Sequence, residues 1–223
     1  MSNIKIQQNY ILSQSWYQTI ELSNGLSTNG SVSVSSRMKR IGQVDFSGKT
    51  VLDIGCNSGG NSLWAKKFGA QKVVGIDLSK RRISQARKLA KFEKLTIDFK
   101  CINLFNYNPK SKFDVILCFA VVTEIQDLVG ALSKIKYLMN DVAYVELNLA
   151  KPRLYLSTSK VWLRGFKGIS RTKSVLEIYQ HKVGLTLSPS IEVVKQIFGT
   201  NFKIENLGRG ERYDLIKVTK HKE

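Results

Sequence analysis

One stretch limits what this chain can fold into: VLDIGCNSGG at 51–60, followed by VVGID at 73–77. An apolar run of strand length ends at Asp53 and Ile54, and Gly55, Gly59 and Gly60 follow within six residues. Glycines at such a bend let the backbone turn tightly and approach a ligand without Cβ obstruction. A helix starting near Gly60 directs free N–H groups and the positive end of its dipole at the bend. The second run closes on Asp77, whose two oxygens can accept bonds from two sugar hydroxyls.

The spacing also argues against a dinucleotide. The fingerprint for that ligand is Gly-x-Gly-x-x-Gly, whose glycines crowd a pyrophosphate. Here the order is Gly55, three residues, then Gly59 and Gly60. The charge of Asp53 would also be unwelcome beside phosphates. A ligand carrying positive charge suits two carboxylates at neighbouring strand ends.

Around this motif the chain alternates. Apolar runs at 50–54, 72–76, 95–101, 113–118 and 142–147 read as strands. Helical spacing covers 61–68, stopped by Gly69, then 80–92, with Ser79 as N-cap, and 124–139. Such alternation predicts an α/β fold, a mostly parallel sheet with helices on both faces. Ligands of these sheets bind at the carboxyl ends of the strands, where strand order reverses.

The flanks read differently. A helix is expected over 10–22, carrying Trp16 and Tyr17, then a Ser/Gly/Asn/Thr loop at 23–36 and a short helix at 36–44. Residues 1–48 thus form an N-terminal helical cap and 49–223 the main domain. The stretch 151–187 is a basic, glycine-punctuated insertion. Ser188 and Pro189 read as a helix start with proline at the first helical position, running to 198. Strands at 202–207 and 213–218, around Gly208 and Gly210, predict a C-terminal antiparallel hairpin.

Composition narrows the classes. With 223 residues, 43% of them hydrophobic, the chain can bury one good core. No run of about 20 apolar residues appears, so no membrane span is expected. The first residues lack a basic stretch followed by an apolar one, so no secretory signal is expected either. Cys56, Cys101 and Cys118 show no paired spacing, which suits a reducing cytoplasm. With two histidines distant from them, no metal site is expected. A formal charge of +18 points to an anionic partner, nucleic acid among them.

The segment DIGCNSG at 53–59 resembles motif I of class I S-adenosylmethionine-dependent methyltransferases. GID at 75–77 resembles their motif II, and FDVILC at 113–118 stands in the position of motif IV. The resemblance implies a Rossmann-like sheet of seven strands and S-adenosyl-L-methionine as cofactor. It implies that Asp53, Gly55 and Gly59 line the methionine part, that Asp77 binds the ribose, and that Cys56, Asn57 and Leu78 also belong to the cofactor site. Ile102 and Asn103 would neighbour the adenine, and Phe119 would sit beside the cofactor. Asn57 stands where many members carry a third glycine, and Asn103 where an acidic residue often recognises adenine.

A second segment, SWYQTIELSNG at 15–25, resembles proteins grouped with tRNA wobble-uridine methyltransferases, which act on the 5-hydroxyl of a modified uridine. Gln18 replaces the usual histidine. After the fourth strand the chain reads FAVVTE (119–124), with neither an Asn-Pro-Pro-aromatic nor a Pro-Cys motif. This disfavours base-amino methylation and cysteine-mediated attack, and leaves oxygen, or a small-molecule nitrogen, as the acceptor. Glu146, near the end of the fifth strand, is the candidate base. Trp16 and Tyr17 are candidates for a lid over cofactor or substrate. Lys160, Arg164 and Lys167, among interleaved aromatics, are candidates for RNA contact. The expectation is O-methylation of an anionic substrate, tRNA or otherwise. A small-molecule or sugar methyltransferase, and a non-catalytic RNA-binding module, are the alternatives.

Overall fold

The computed structural model describes residues 3–150, 176–181, 184–210 and 212–221. Lys160, Arg164 and Lys167, and most of the expected basic insertion, lie outside them.

The chain opens with α1 (Asn3–Leu12), the two-residue strands β1 (Gln18–Thr19) and β2 (Val32–Ser33), and α2 (Val34–Arg40). Strand–helix alternation follows: β3 (Thr50–Ile54), α3 (Gly60–Lys67), β4 (Lys72–Asp77), α4 (Lys80–Phe92), β5 (Asp98–Cys101) and β6 (Phe113–Cys118). Then come α5 (Leu128–Leu138), β7 (Met139–Leu147), β8 (Leu176–His181), β9 (Gly184–Pro189), α6 (Ile191–Phe198), β10 (Phe202–Arg209) and β11 (Asp214–Lys220). Seven strands make the main sheet in the order β10-β11-β7-β6-β3-β4-β5. The pairings from β7 through β5 are parallel, and β11 enters antiparallel between β7 and β10. The expected mostly parallel sheet and terminal hairpin are both present.

Successive strand side chains point to opposite faces, and the central strands sort their residues accordingly. Val51, Val73, Val115 and Leu117 face the layer that holds Leu63, Ile83 and Leu89 of α3 and α4. Leu52, Val74, Ile116 and Cys118 face the layer of Leu132, Ile135 and Phe198 from α5 and α6. Both faces are dry, which is why these strands read as continuous apolar runs rather than alternating ones. The chain runs β3, β4, β5 outward on one side and then crosses to β6 and β7 on the other. The reversal therefore falls between β3 and β6, at the glycine bend.

Three local expectations are corrected. Residues 16–22 are no part of a helix: Trp16, Gln18, Ile20 and Leu22 are buried and the residues between them are not. That period of two belongs to the strand at Gln18–Thr19, paired in parallel with Val32–Ser33. The preceding helix stops at Leu12, and the Trp16 indole N–H donates to the carbonyl of Ile11 at 2.8 Å. Pro189 is not a first helical residue: it pairs with Leu176 in the β8–β9 hairpin, and its carbonyl accepts from Ala150 N–H. Ser190 is the N-cap, accepting from Val193 N–H. The helix expected over 124–139 is split into a 3₁₀ turn at Val122–Glu124 and α5, which is capped by Asp127 accepting from Gly130 N–H.

Ser79 caps α4 as expected, accepting from Arg82 N–H. Among the described residues no helix is long and apolar enough to cross a membrane, and no group of histidine, cysteine or acidic side chains is arranged to hold a metal.

Leu132 is fully buried among the α5-side residues, whereas Val129 on the same helix is 48% exposed. Leu132→Ala is expected to cost about 2–5 kcal/mol of unfolding free energy, and Val129→Ala no more than about 0.5 kcal/mol. Urea titration followed by circular dichroism checks the contrast.

Candidate active site

A cavity of about 660 Å³ opens at the carboxyl ends of β3, β4, β5 and β6. Gly55 follows β3, Asp77 and Leu78 end β4, Ile102 and Asn103 follow β5, and Phe119, Ala120 and Val121 follow β6. All of them line it, with Asn57 from the glycine bend.

The bend is shaped by steric demand. Gly55 has φ +66°, and a Cβ there would collide with the Val121 side chain. Asn57 has φ +51°, the left-handed region that asparagine tolerates better than most residues. Gly59, at φ +82°, starts α3, and a Cβ there would press on Phe99 and Ala86.

Asp77 organises the two neighbouring strand tips. One carboxylate oxygen accepts from Asn57 N–H at 2.9 Å, the other from Ser79 N–H at 2.8 Å. Each oxygen keeps a further lone pair for a ligand in the cavity that Asp77 lines.

Asp53 behaves differently. It is fully buried behind the bend and accepts from the Ser62 hydroxyl of α3 at 2.6 Å. Its carboxyl is pushed up to about 7, by burial first; Ser62, the Asn61 side chain and the charge of Arg37 oppose the rise. Cys56 is likewise buried, its thiol raised by burial and then by the charges of Asp53 and Asp77. Asp53 and Gly59, expected to line the methionine part, and Cys56, expected at the cofactor site, are buried behind the residues that line the cavity. They shape the turn.

Glu146, the candidate base, faces α2 rather than the cavity. Arg37 lies 3.1 Å from one of its oxygens and Arg40 2.9 Å from the other, and the Glu146 side chain is 3% exposed. Arg40 hydrogen-bonds one oxygen, while the other is charge-paired with Arg37 but accepts no hydrogen bond. Arg40 reaches on to the carbonyls of Gly208 and Tyr213, each at 3.4 Å, so the cluster ties α2 to the C-terminal hairpin. Arg37 continues into the cavity wall, its guanidinium 5.3 Å from the centre of the Phe119 ring.

The N-terminal segment supplies one wall. Tyr17 lines the cavity, whereas Trp16 packs beside Tyr10 at the margin of the core. Gln18 caps α3, its side-chain oxygen accepting from Gly60 N–H at 3.1 Å. The segment is pinned where the Ser15 carbonyl accepts from Arg82 and Gln85.

Sequence reasoning assigned no site role to Arg37, Arg82, Arg212 or Tyr213, all of which line the cavity. Arg37 sits in a run with Lys39 and Arg40 that reads as a solvated helix face. Glu124, the first residue of the helix expected over 124–139, also lines the cavity.

The buried carboxyl of Asp53 makes a linkage test. Its folded-state value near 7 lies above the ordinary 3.8, so between those values the native state holds a proton that the unfolded chain has lost. Stability therefore falls as pH rises from about 4 to about 7, then levels. Asp53→Asn removes this slope: measured by thermal melts of the ligand-free protein, the variant is expected to gain on wild type as pH rises from 4 to 8. A difference independent of pH contradicts the assignment.

A family profile described as a methyltransferase domain matches residues 30–178. A ubiquinone biosynthesis O-methyltransferase of Rhodopseudomonas palustris is 33% identical over 94 residues, 42% of this chain and 37% of that protein. A tRNA U34 carboxymethyltransferase of Campylobacter hominis is 35% identical over 106 residues, 47% of this chain and 37% of that protein. The matched segment thus spans little more than a third of either relative. The crystal structure of the N-terminal domain of EvdMO1, obtained in the presence of S-adenosylhomocysteine and D-fucose, superposes with a TM-score of 0.70. It is 14% identical, and the superposition covers all of this chain and 98% of that one. The profile takes in well over half of the chain, which therefore belongs to the methyltransferase-domain family, of the class I S-adenosylmethionine-dependent type.

Proposed function

We propose that this protein binds S-adenosylmethionine in the cavity at the strand tips and transfers its methyl group to an oxygen of an anionic substrate, with tRNA the favoured acceptor. The observation that carries the first part is Asp77. Its carboxylate borders a cavity of sufficient size and has already fixed the glycine bend through Asn57, with lone pairs left over. When bound, the cofactor supplies an electrophilic methyl carbon on a sulfonium.

In this reading Asp77 accepts from the ribose hydroxyls, and the backbone at Gly55 lies against the methionine chain. Ile102 and Asn103 flank the adenine. Asn103 spends its side-chain oxygen on Phe105 N–H, so it shapes the loop rather than reading the base through that atom. Arg37 is a guanidinium anchored by Glu146 and offered to a carboxylate at the inner end of the cavity. Tyr17 and Phe119 exclude water. Aligning nucleophile and methyl carbon in such a site is worth about 7–11 kcal/mol at best, so an acidic hydroxyl needs little more. Where a proton must be taken up, Glu124 is the carboxylate that lines the cavity.

The tRNA acceptor is supported by the likeness of 15–25 to wobble-uridine enzymes and by the Campylobacter hominis relative. A second reading, O-methylation of a small molecule, is favoured by the relatives named for ubiquinone biosynthesis. Incubating the protein with methyl-labelled cofactor and a lysate separated into RNA and metabolite fractions decides between them. Label in RNA supports the first, label in metabolites alone the second.

Asp77→Ala is expected to weaken S-adenosylmethionine binding by about 1–3 kcal/mol, read by titration calorimetry. Unchanged affinity removes Asp77 from the site. The two glutamates are expected to separate. Glu124→Gln lowers methyl incorporation, by about 100-fold or more if it is the base, without loss of stability. Glu146→Gln leaves two cations without their counter-charge, one of them buried, and costs about 3–5 kcal/mol of stability.

A further inference from the structure

The outer face of α4 is a second feature that the family reading leaves unused. Lys80, Ser84, Arg87, Lys88 and Lys91 recur at the spacing that places residues on one helix face, and all are exposed. Arg81 and Arg82 adjoin the first of them, and the helix has no acidic residue along its 13 positions. A helix whose surface serves only solubility mixes signs, and acids are favoured in its first turn, where the dipole is positive. Here three cations stand in succession at that end, against the dipole.

Two of the nearby carboxylates are paired elsewhere: Asp98 with Lys100, and Glu93 with Lys67 and Ser23. The charge of Asp77 acts on Arg82, at the cavity end of the helix. The cations of α4 rest instead on neutral partners: Arg81 on the Ser15 hydroxyl, Arg87 on the Phe99 carbonyl, Lys88 over the Tyr10 and Phe92 rings. Their positive charge is left for something outside the chain.

Position gives this charge a use. Leu78 and Arg82, on either side of the helix start, both line the cavity. From there α4 runs about 20 Å, a length that spans several phosphates of a nucleic acid. A membrane surface fits less well. A helix lying on lipid turns an apolar face outward, whereas Ile83, Ala86, Leu89 and Ala90 of α4 are buried in the core.

We propose that the exposed face of α4 is a phosphate track that holds the backbone of an RNA substrate while the reacting nucleotide enters the adjoining cavity. The proposal rests on the RNA reading above and adds the surface that binds.

The test compares two triple variants with wild type. Lys80→Gln, Arg87→Gln and Lys91→Gln together strip the track. Lys110→Gln, Lys112→Gln and Lys195→Gln remove an equal charge from exposed positions off α4. Binding of labelled unfractionated tRNA is followed by anisotropy over a range of salt, and S-adenosylmethionine titration confirms each variant's fold. The α4 variant is expected to bind tRNA about tenfold or more weakly near 0.1 M salt. Its slope of log affinity against log salt is expected to fall by about two, as for two or three lost phosphate contacts. The second variant should change little. Equal weakening in both variants would show a diffuse field and overturn the track. An unchanged α4 variant would overturn the track and leave RNA as substrate. A wild type that binds S-adenosylmethionine but no tRNA, even at low salt, overturns both. Capture on phosphatidylserine vesicles lost in the α4 variant, with tRNA affinity intact, would reassign the face to lipid.

Discussion

The arrangement turns on one carboxylate that joins two strand tips. Asp77 ends β4, yet its oxygens are spent on the backbone N–H of Asn57, across in the bend after β3, and of Ser79, at the threshold of α4. Charge-assisted bonds of this kind are stronger than neutral ones, and these two fix the relative position of the bend and the α4 N-terminus. The cavity lies where they meet, at the reversal of strand order. The glycines make the bend sterically possible, and Asp77 selects one conformation of it.

A second set of charges joins more distant parts. Glu146 is buried on β7, Arg37 and Arg40 come from α2, and Arg40 continues to the hairpin carbonyls of Gly208 and Tyr213. A buried ion cluster is seldom a gain in stability over well-packed apolar residues. Its consequence here is positional: Arg37 is held in the cavity wall, and the loop bearing Arg212 and Tyr213 is drawn to the same rim. Asp53, one layer behind, keeps its proton up to about neutral pH because burial outweighs its partners. The two motif carboxylates thus do different work, one lining the cavity and one holding α3 against the sheet.

Much of this was legible in the sequence because it is written in short-range pattern. The strand runs at 50–54 and 113–118, the Ser79 cap and the glycine bend each depend on residues a few positions apart, and the structure has them at those positions. Gly55, Asn57, Asp77, Leu78, Ile102, Asn103, Phe119 and Tyr17 all line the cavity. What was misread depends on distant partners. The alternation at 16–22 passes for helix until Val32 and Ser33 are seen to pair with it. The pairing of Glu146 with Arg37 and Arg40, over a hundred positions earlier, has no local signal either. Arg37 itself gives no signal, since a basic residue beside two others on a short helix reads as surface.

The most direct test of the central claim is a crystal structure with S-adenosylhomocysteine. The account predicts the ribose hydroxyls within hydrogen-bond distance of Asp77, the adenine beside Ile102 and Asn103, and the Asn57 and Ser79 bonds to Asp77 intact. A nucleoside seated away from the β3 and β4 tips, or an Asp77 carboxylate turned from it, would contradict the account.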